Sequence, residues 1–270
     1  MSQTSVGESW KPFLQENTLS WCKPDDLNPD SFIRHARSEW IQRILQNAGI
    51  EPSGSVRVLE AGCGTGMFGL SLALLGCQVD AFDYNEPALV VARHLEIKAR
   101  QARADMQIHF YQGNLLSIGA RADTYDLVFN QGVVEYFVDD AQRAQALREM
   151  VRVTRPGGWV VVIDQHTGHP FRSMWRCLGW GGYTRQPPMV TYTPNIMARE
   201  LTQTGLTQIR LDGIQPWKSL PIFRIQWYER ARWTKELVYL VGRTLERGVP
   251  LPRFLRRQFG IQILAAGKKR

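Results

Sequence analysis

Four glycines follow a short apolar run and one carboxylate in Val58-Leu59-Glu60-Ala61-Gly62-Cys63-Gly64-Thr65-Gly66-Met67-Phe68-Gly69-Leu70. Residues without a Cβ let a ligand approach the main chain, and a helix start beside them offers N–H groups with no partner in the helix. A nucleoside triphosphate would call for GxxxxGK[ST], yet no lysine occurs between Lys23 and Lys98, so that chemistry is excluded. A dinucleotide fits better. Gly64-x-Gly66-x-x-Gly69 satisfies GxGxxG, and Asp83 stands roughly 20 residues on, where a ribose-binding carboxylate belongs. Glu60 opposes it, because a carboxylate at the strand end would repel a pyrophosphate settling there. The pattern alone leaves an NAD(P)-dependent oxidoreductase open.

Groups able to move a proton lie farther along. Glu135 and His166 are the candidate bases, with His169 beside them in Asp164-Gln165-His166-Thr167-Gly168-His169-Pro170. An imidazole titrates near neutral pH and suits the task. The plainer reading, a loop histidine bonded to a carbonyl, stays open beside it. Two histidines and an aspartate on one loop are a weak metal signature, and no metal is expected. Cys22, Cys63, Cys77 and Cys177 form no CxxC pair, so neither a zinc site nor a disulfide framework is indicated.

Strands alternating with helices must carry these groups. The spacing of Phe32, Ile33, Ala36, Trp40, Ile41, Ile44 and Leu45 predicts one helix, capped at Asp30 or Ser31 and ended by Gly49. Strands are expected at 56–59, 78–83, 107–112, 125–130 and 159–164, with helices over 66–75, 87–103 and 140–154 between them. Arg155-Pro156-Gly157-Gly158 stops the last helix. Apolar runs separated by helices require a parallel sheet covered on both faces, a doubly wound α/β architecture. Beyond Asp164 a helix at 193–203 and strands at 207–214 and 260–266 are expected.

The strand ends carry a resemblance. Glu60-x-Gly62-x-Gly64-x-Gly66 resembles the first motif of class I S-adenosylmethionine-dependent methyltransferases. Asp83, Gly113-Asn114-Leu115, Asn130-Gln131-Gly132-Val133-Val134-Glu135-Tyr136 and Arg152-Val153-Thr154-Arg155-Pro156-Gly157-Gly158 follow in the family's order. The resemblance covers about 56–164 and implies a seven-stranded, mostly parallel sheet closed by a reversed hairpin. It also implies S-adenosylmethionine as cofactor, with the main chain of Ala61, Gly62 and Cys63 at its amino-acid end, and Glu60, Gly64 and Gly66 in the same loop. Asp83 would take the ribose hydroxyls, Tyr84 and Leu115 the adenine faces, and Asn114, next to Gly113, the adenine edge. Asn114 stands where the family usually has an acid. Asn130 and Gln131 would lie beneath the methionine portion. Asn130-Gln131-Gly132-Val133 lacks the Asn/Asp-Pro-Pro-Tyr/Phe of enzymes that methylate amino groups of adenine or glutamine, so a small-molecule acceptor, partly apolar or anionic, is expected.

The chain has 270 residues and a net charge of +8, and its basicity is concentrated after residue 216, where thirteen Lys/Arg face three Asp/Glu. That distribution suggests four parts: an N-terminal helical cap (1–50), an α/β core (51–216), a basic helical insert or lid (217–258), and a last strand with a basic tail (259–270). A basic amphipathic insert could rest on an anionic membrane surface, grip an anionic acceptor or bind RNA. A lid with a solvated basic face is the plainer alternative. No stretch approaches the roughly 20 apolar residues of a membrane span. The opening MSQTSVGESWKPF lacks a signal-peptide layout, so a cytoplasmic protein is expected. Oligomeric state is not legible.

Overall fold

The computed structural model describes residues 28–169, 189–216 and 251–270. The first part of the cap, residues 170–188, and most of the 217–258 insert lie outside the described residues. Asn28 caps α1 (Pro29–Ala36), its side chain accepting from the Ser31 N–H at 3.0 Å. The single helix predicted here is two. Ser38 is extended, with φ −70° and ψ 159°, and opens α2 (Glu39–Ala48), which ends at Gly49 in the left-handed region. The break lets α1 lie on α3 while α2 turns toward β6, so Phe32, Ile41 and Ile44 are buried against different neighbours of one core.

From there strands and helices alternate: β1 (Arg57–Ala61), α3 (Met67–Leu74), β2 (Gln78–Asp83), α4 (Glu86–Ala99), β3 (Gln107–Gln112), β4 (Tyr125–Gln131), α5 (Asp140–Val153) and β5 (Thr154–Gln165). A single 3-10 turn, Val134–Tyr136, follows β4. Then come α6 (Pro194–Gln203), β6 (Thr207–Ile214), α7 (Arg253–Phe259) and β7 (Gln262–Lys268). Helix α6 is capped by the Thr193 side chain. The sheet order is β3-β2-β1-β4-β5-β7-β6, parallel except for β7, which pairs antiparallel with both neighbours. This is the doubly wound seven-stranded sheet expected. The expected stop at Pro156-Gly157-Gly158 is instead drawn into β5, which begins at Thr154 and slips register against β4 between Tyr125 and Leu127.

Two cores flank the sheet. Val58, Leu127, Phe129 and Val161 face the side of α1 to α4, whereas Leu59, Val128, Val160 and Val162 face the side of α5 and α6. Alternation along each strand therefore sends successive residues into opposite layers, as a sheet covered on both faces requires. The chain leaves β1 for β2 on one side and returns to β4 on the other, which opens a crevice at the carboxyl ends of β1 and β4.

Helix α7 covers the last part of the expected 217–258 insert. Its Arg256 forks onto Asp212 at 2.8 Å through both Nε and Nη2, and Arg253 bonds the Leu211 carbonyl at 2.8 Å and the Asn47 side chain. Burial would raise the Asp212 carboxyl, but hydrogen bonds led by Arg256 hold it below its usual range. Arg253 and Arg256 are thus tied to β6 and α2 rather than standing free on a solvated basic face. Close approach allows it: a Cβ on Gly213 would stand 1.8 Å from the Arg256 carbonyl oxygen. Gly213→Ala is therefore expected to destabilise the fold by about 2–3 kcal/mol in urea unfolding. Gly119→Ala, whose Cβ would meet nothing within 4 Å, should stay within about 0.5 kcal/mol. Equal stabilities would refute the packing of α7 on β6.

Candidate functional site

The glycine loop is held by the neighbouring strand. Because β1 and β2 pair in register up to Ala61 and Phe82, the Phe82 carbonyl sits where both the Gly62 and Cys63 N–H groups donate to it, each at 2.8 Å. One residue on, Asp83 takes the Gly64 N–H on Oδ2 at 2.7 Å and the Asn85 N–H on Oδ1 at 2.8 Å. Burial pushes the Asp83 carboxyl up, while those N–H groups act in the opposite sense. Gly62, Gly64 and Gly66 all have positive φ, at 80°, 53° and 75°. Crowding separates them: a Cβ on Gly62 would lie 2.5 Å from Val133 Cγ2 and one on Gly66 2.5 Å from Phe110 Cε1, whereas one on Gly64 would meet nothing within 4 Å. At Gly64 the main chain borders open space, the cradle a ligand needs.

Glu60 is 1% exposed and lies under α3, where Oε2 accepts the Gly69 N–H at 2.7 Å. Burial pushes its carboxyl up to about 8, with the Gly69 N–H opposing and Asp83 adding to the rise. A Cβ on Gly69 would stand 2.7 Å from the same carboxylate oxygen. The third glycine of the apparent dinucleotide pattern is therefore a helix residue kept small for close packing. Burial raises the Cys63 thiol as well, and Glu60 and Asp83 add to it.

Tyr84 is half-buried beside Asp83, with its carbonyl accepting from Gln112 Nε2 at 3.1 Å. Gly113 approaches Phe82, Leu115 packs with Leu59, Phe82 and Ile118 in the second core, and Asn114 Oδ1 accepts the Leu116 N–H at 2.7 Å. Asn114 thus forms a local turn, which leaves its Nδ2 and one oxygen lone pair for a base edge. Asn130 is 0% exposed, and neither atom of its amide has a hydrogen-bond partner. Such orphaned buried atoms mark a place where a ligand or water completes the bonding. Gln131 is half-buried at the end of β4, followed by Gly132, whose N–H donates to the Ile163 carbonyl at 2.8 Å.

The candidate bases sit apart from this loop. Glu135 Oε2 accepts the Gln165 N–H at 2.8 Å, bracing the 3-10 turn against β5. His166 is 5% exposed, and its Nδ1 lies 3.1 Å from the Gly260 carbonyl. His169 Nε2 lies 3.1 Å from the Phe259 carbonyl. Both histidines grip the junction of α7 and β7. Among the described residues, no group of three or more His, Cys, Asp or Glu side chains is placed to hold a metal ion. Reading the sequence missed Val133 over Gly62, and gave Asp164 no part beyond a weak metal hint, although it is 0% exposed at the end of an apolar strand. The one available signal was an acid closing the run Trp159-Val160-Val161-Val162-Ile163.

Residues 59–162 match the model of a family described as a methyltransferase domain, within a sheet carrying the reversed β7. Residues 59–162 carry a methyltransferase domain, and the sheet around them has the class I S-adenosylmethionine-dependent methyltransferase fold. The reversed β7 and this match set aside the dinucleotide alternative. The methyltransferase core is similar to a protein named ubiquinone biosynthesis O-methyltransferase from Aromatoleum aromaticum, 31% identical over 142 residues, which are 52% of this chain and 54% of that one. A protein of the same name from Methylocella silvestris is 32% identical over 158 residues, 57% of each chain. The match thus spans little more than half the length of these relatives. Among solved structures, phosphoethanolamine N-methyltransferase 2 of Haemonchus contortus, in complex with S-adenosyl-L-methionine, superposes with a TM-score of 0.56. That match covers 90% of this chain and 57% of that one at 16% identity, a likeness of fold.

The raised Glu60 carboxyl has a consequence for the stability of this fold. With a folded pKa above the unfolded value of 4.5, the proton is favoured in the folded state. The stability it contributes is complete below pH 4.5 and is lost as pH rises toward about 8. Glu60→Gln, whose amide oxygen can still accept from Gly69, is expected to lose less stability than wild type between pH 5 and pH 9 in parallel urea titrations, by a few kcal/mol. Parallel pH profiles would show that Glu60 is ionised without cost.

Proposed function

We propose that this chain transfers a methyl group from S-adenosylmethionine to a hydroxyl oxygen of a small, partly apolar or anionic molecule. The observation that carries the cofactor is the Gly64 cradle, open on the ligand side and pinned from behind by Asp83. The name of the curated relatives supports oxygen as the atom methylated. Asp83 keeps a lone pair on each oxygen beyond its bonds to Gly64 and Asn85, enough to receive two vicinal ribose hydroxyls. Tyr84 and Asn114 flank it for the adenine, and the Asn130 amide faces the methionine portion. Glu60 acts from beneath, fixing the start of α3 through Gly69 rather than touching the ligand.

S-adenosylmethionine supplies a methyl group already activated by its sulfonium, so alignment and removal of one acceptor proton are what the protein must add. His166 is the residue we assign to that proton. A carbonyl only accepts, so Nδ1 carries the hydrogen toward Gly260, and Nε2 keeps its lone pair. Burial lowers the His166 pKa below its usual value, which keeps the ring neutral near pH 7. Glu135, already bonded to the Gln165 N–H, positions the β4 turn.

Calorimetric titration should show S-adenosylmethionine binding to wild type, weakened about 10- to 100-fold in Asp83→Ala. With radiolabelled methyl donor and a panel of phenols and alcohols, His166→Gln should lower kcat by about 100-fold or more while leaving cofactor affinity unchanged. Folded wild type that binds no S-adenosylmethionine would overturn the proposal, and a fully active His166→Gln would remove the base.

A further inference from the structure

Glu135 and Asp164 bring two carboxyl groups together at the carboxyl ends of β4 and β5. Glu135 lies on the 3-10 turn and is 1% exposed; Asp164 is one residue from the end of β5 and is 0% exposed. The Gln165 N–H that donates to Glu135 Oε2 belongs to the residue after Asp164, so the two groups are held at one place in the fold. Their surroundings differ. Glu135 has a peptide donor on its carboxylate, whereas neither oxygen of Asp164 has a partner in hydrogen-bonding geometry. Unpartnered oxygens this deeply buried are rare in native proteins and point to a bond completed by something that binds.

The charged neighbours of Asp164 decide its form. Glu135 faces it from the 3-10 turn, Glu200 from α6 and Tyr192 from the segment before α6, while the Val133 and Glu135 N–H groups act in the opposite sense. Glu200 is matched by Arg143 at 2.9 Å and by the Tyr192 hydroxyl at 2.7 Å. Burial, then Glu135, pushes the Asp164 carboxyl well above the usual range. Two adjacent buried carboxyl groups do not both ionise, and the charge settles on the member with the better hydrogen-bond donors. The Gln165 N–H reaches Glu135 while neither Asp164 oxygen has a donor in hydrogen-bonding geometry, so Asp164 holds the proton and becomes a donor.

Location supplies the recipient. Asp83 lies at the end of β2, and the order β2-β1-β4-β5 sets Asp164 three strands away, beyond Asn130, on the side to which the reading above assigns the methyl-donating end of the cofactor. A donor aimed at the attacking oxygen would weaken it as a nucleophile, so a useful recipient is a different oxygen of the same molecule. We propose that Asp164 is the neutral member of a one-proton pair with Glu135 and donates its O–H to a second oxygen of the acceptor, beside the hydroxyl that is methylated. This inference rests on the methyl-acceptor reading above and narrows it to hydroxyl compounds that carry a carbonyl, carboxyl or ether oxygen as well.

Two measurements on the full chain test it. In Glu60→Gln, which removes the other raised buried acid, infrared spectra at neutral pH should contain a carboxylic-acid carbonyl band that is absent once Asp164→Asn is added; a Glu60→Gln spectrum without one overturns the pair. Turnover is then compared for phenol and for 2-, 3- and 4-hydroxybenzaldehyde, with calorimetric S-adenosylmethionine binding showing that each variant is folded. Wild type should prefer one aldehyde over phenol by about 10-fold or more in kcat/KM. Asp164→Asn, neutral and still a donor, should keep most of that preference, and Asp164→Leu should level it. An inactive Asp164→Asn that binds cofactor would make Asp164 a base instead, and an unchanged preference in Asp164→Leu would remove the contact. Wild type that methylates none of the four compounds removes the donor role together with the acceptor reading, while the infrared band still decides where the proton is.

Discussion

One carbonyl oxygen anchors the site. Phe82 ends its strand beside Ala61, and its carbonyl collects the N–H groups of Gly62 and Cys63 at the moment the chain leaves β1. Those two groups would otherwise be buried donors without partners, a cost comparable to a lost hydrogen bond for each. Meeting them turns the loop outward, brings the Gly64 N–H onto Asp83, and starts α3 at Gly66 with its first turn over Glu60. Loosening the β1–β2 pairing would release the Gly64 loop, the Asp83 carboxyl and the helix start together.

The second organising feature is a line of acids along the carboxyl edge of the sheet. Glu60, Asp83 and Asp164 are all raised by burial, and each has a different answer to it. Asp83 offsets part of the cost with two peptide donors and Glu60 with one. For Asp164 the structure closes no such bond. An edge arranged this way favours a cationic ligand and keeps protons on whichever carboxyl is least well bonded. On the edge strand β6, Asp212 is instead lowered because a guanidinium reaches it, and there the carboxylate ties α7 and β6 together rather than awaiting a ligand.

Much of this was legible beforehand for an identifiable reason. Each strand of a covered parallel sheet needs an apolar run, each turn needs glycine or a small polar residue, and those requirements are local, so β2, β3, α6 and β6 fall where the residues place them. The break at Ser38 was not legible, because the apolar spacing from Phe32 to Leu45 continues through it and only the different partners of α1 and α2 call for two helices. Helix α7 was hidden for a similar reason. Its arginines belong to a basic insert for which a solvated face is the plain reading, until Asp212 from a distant strand turned Arg256 inward.

By itself, then, the sequence determined the layered architecture and which residues stand at each strand end, since these follow from periodicity and from motifs that repeat at every crossover. Tertiary structure alone decided what those residues touch. Glu60 turns under Gly69, His166 and His169 close on the carbonyls of Gly260 and Phe259, and Asp164 meets Glu135, in each case because strands distant in sequence share an edge. A carboxyl or an imidazole takes its protonation state from burial and from its neighbours, and neither is written in the order of the residues.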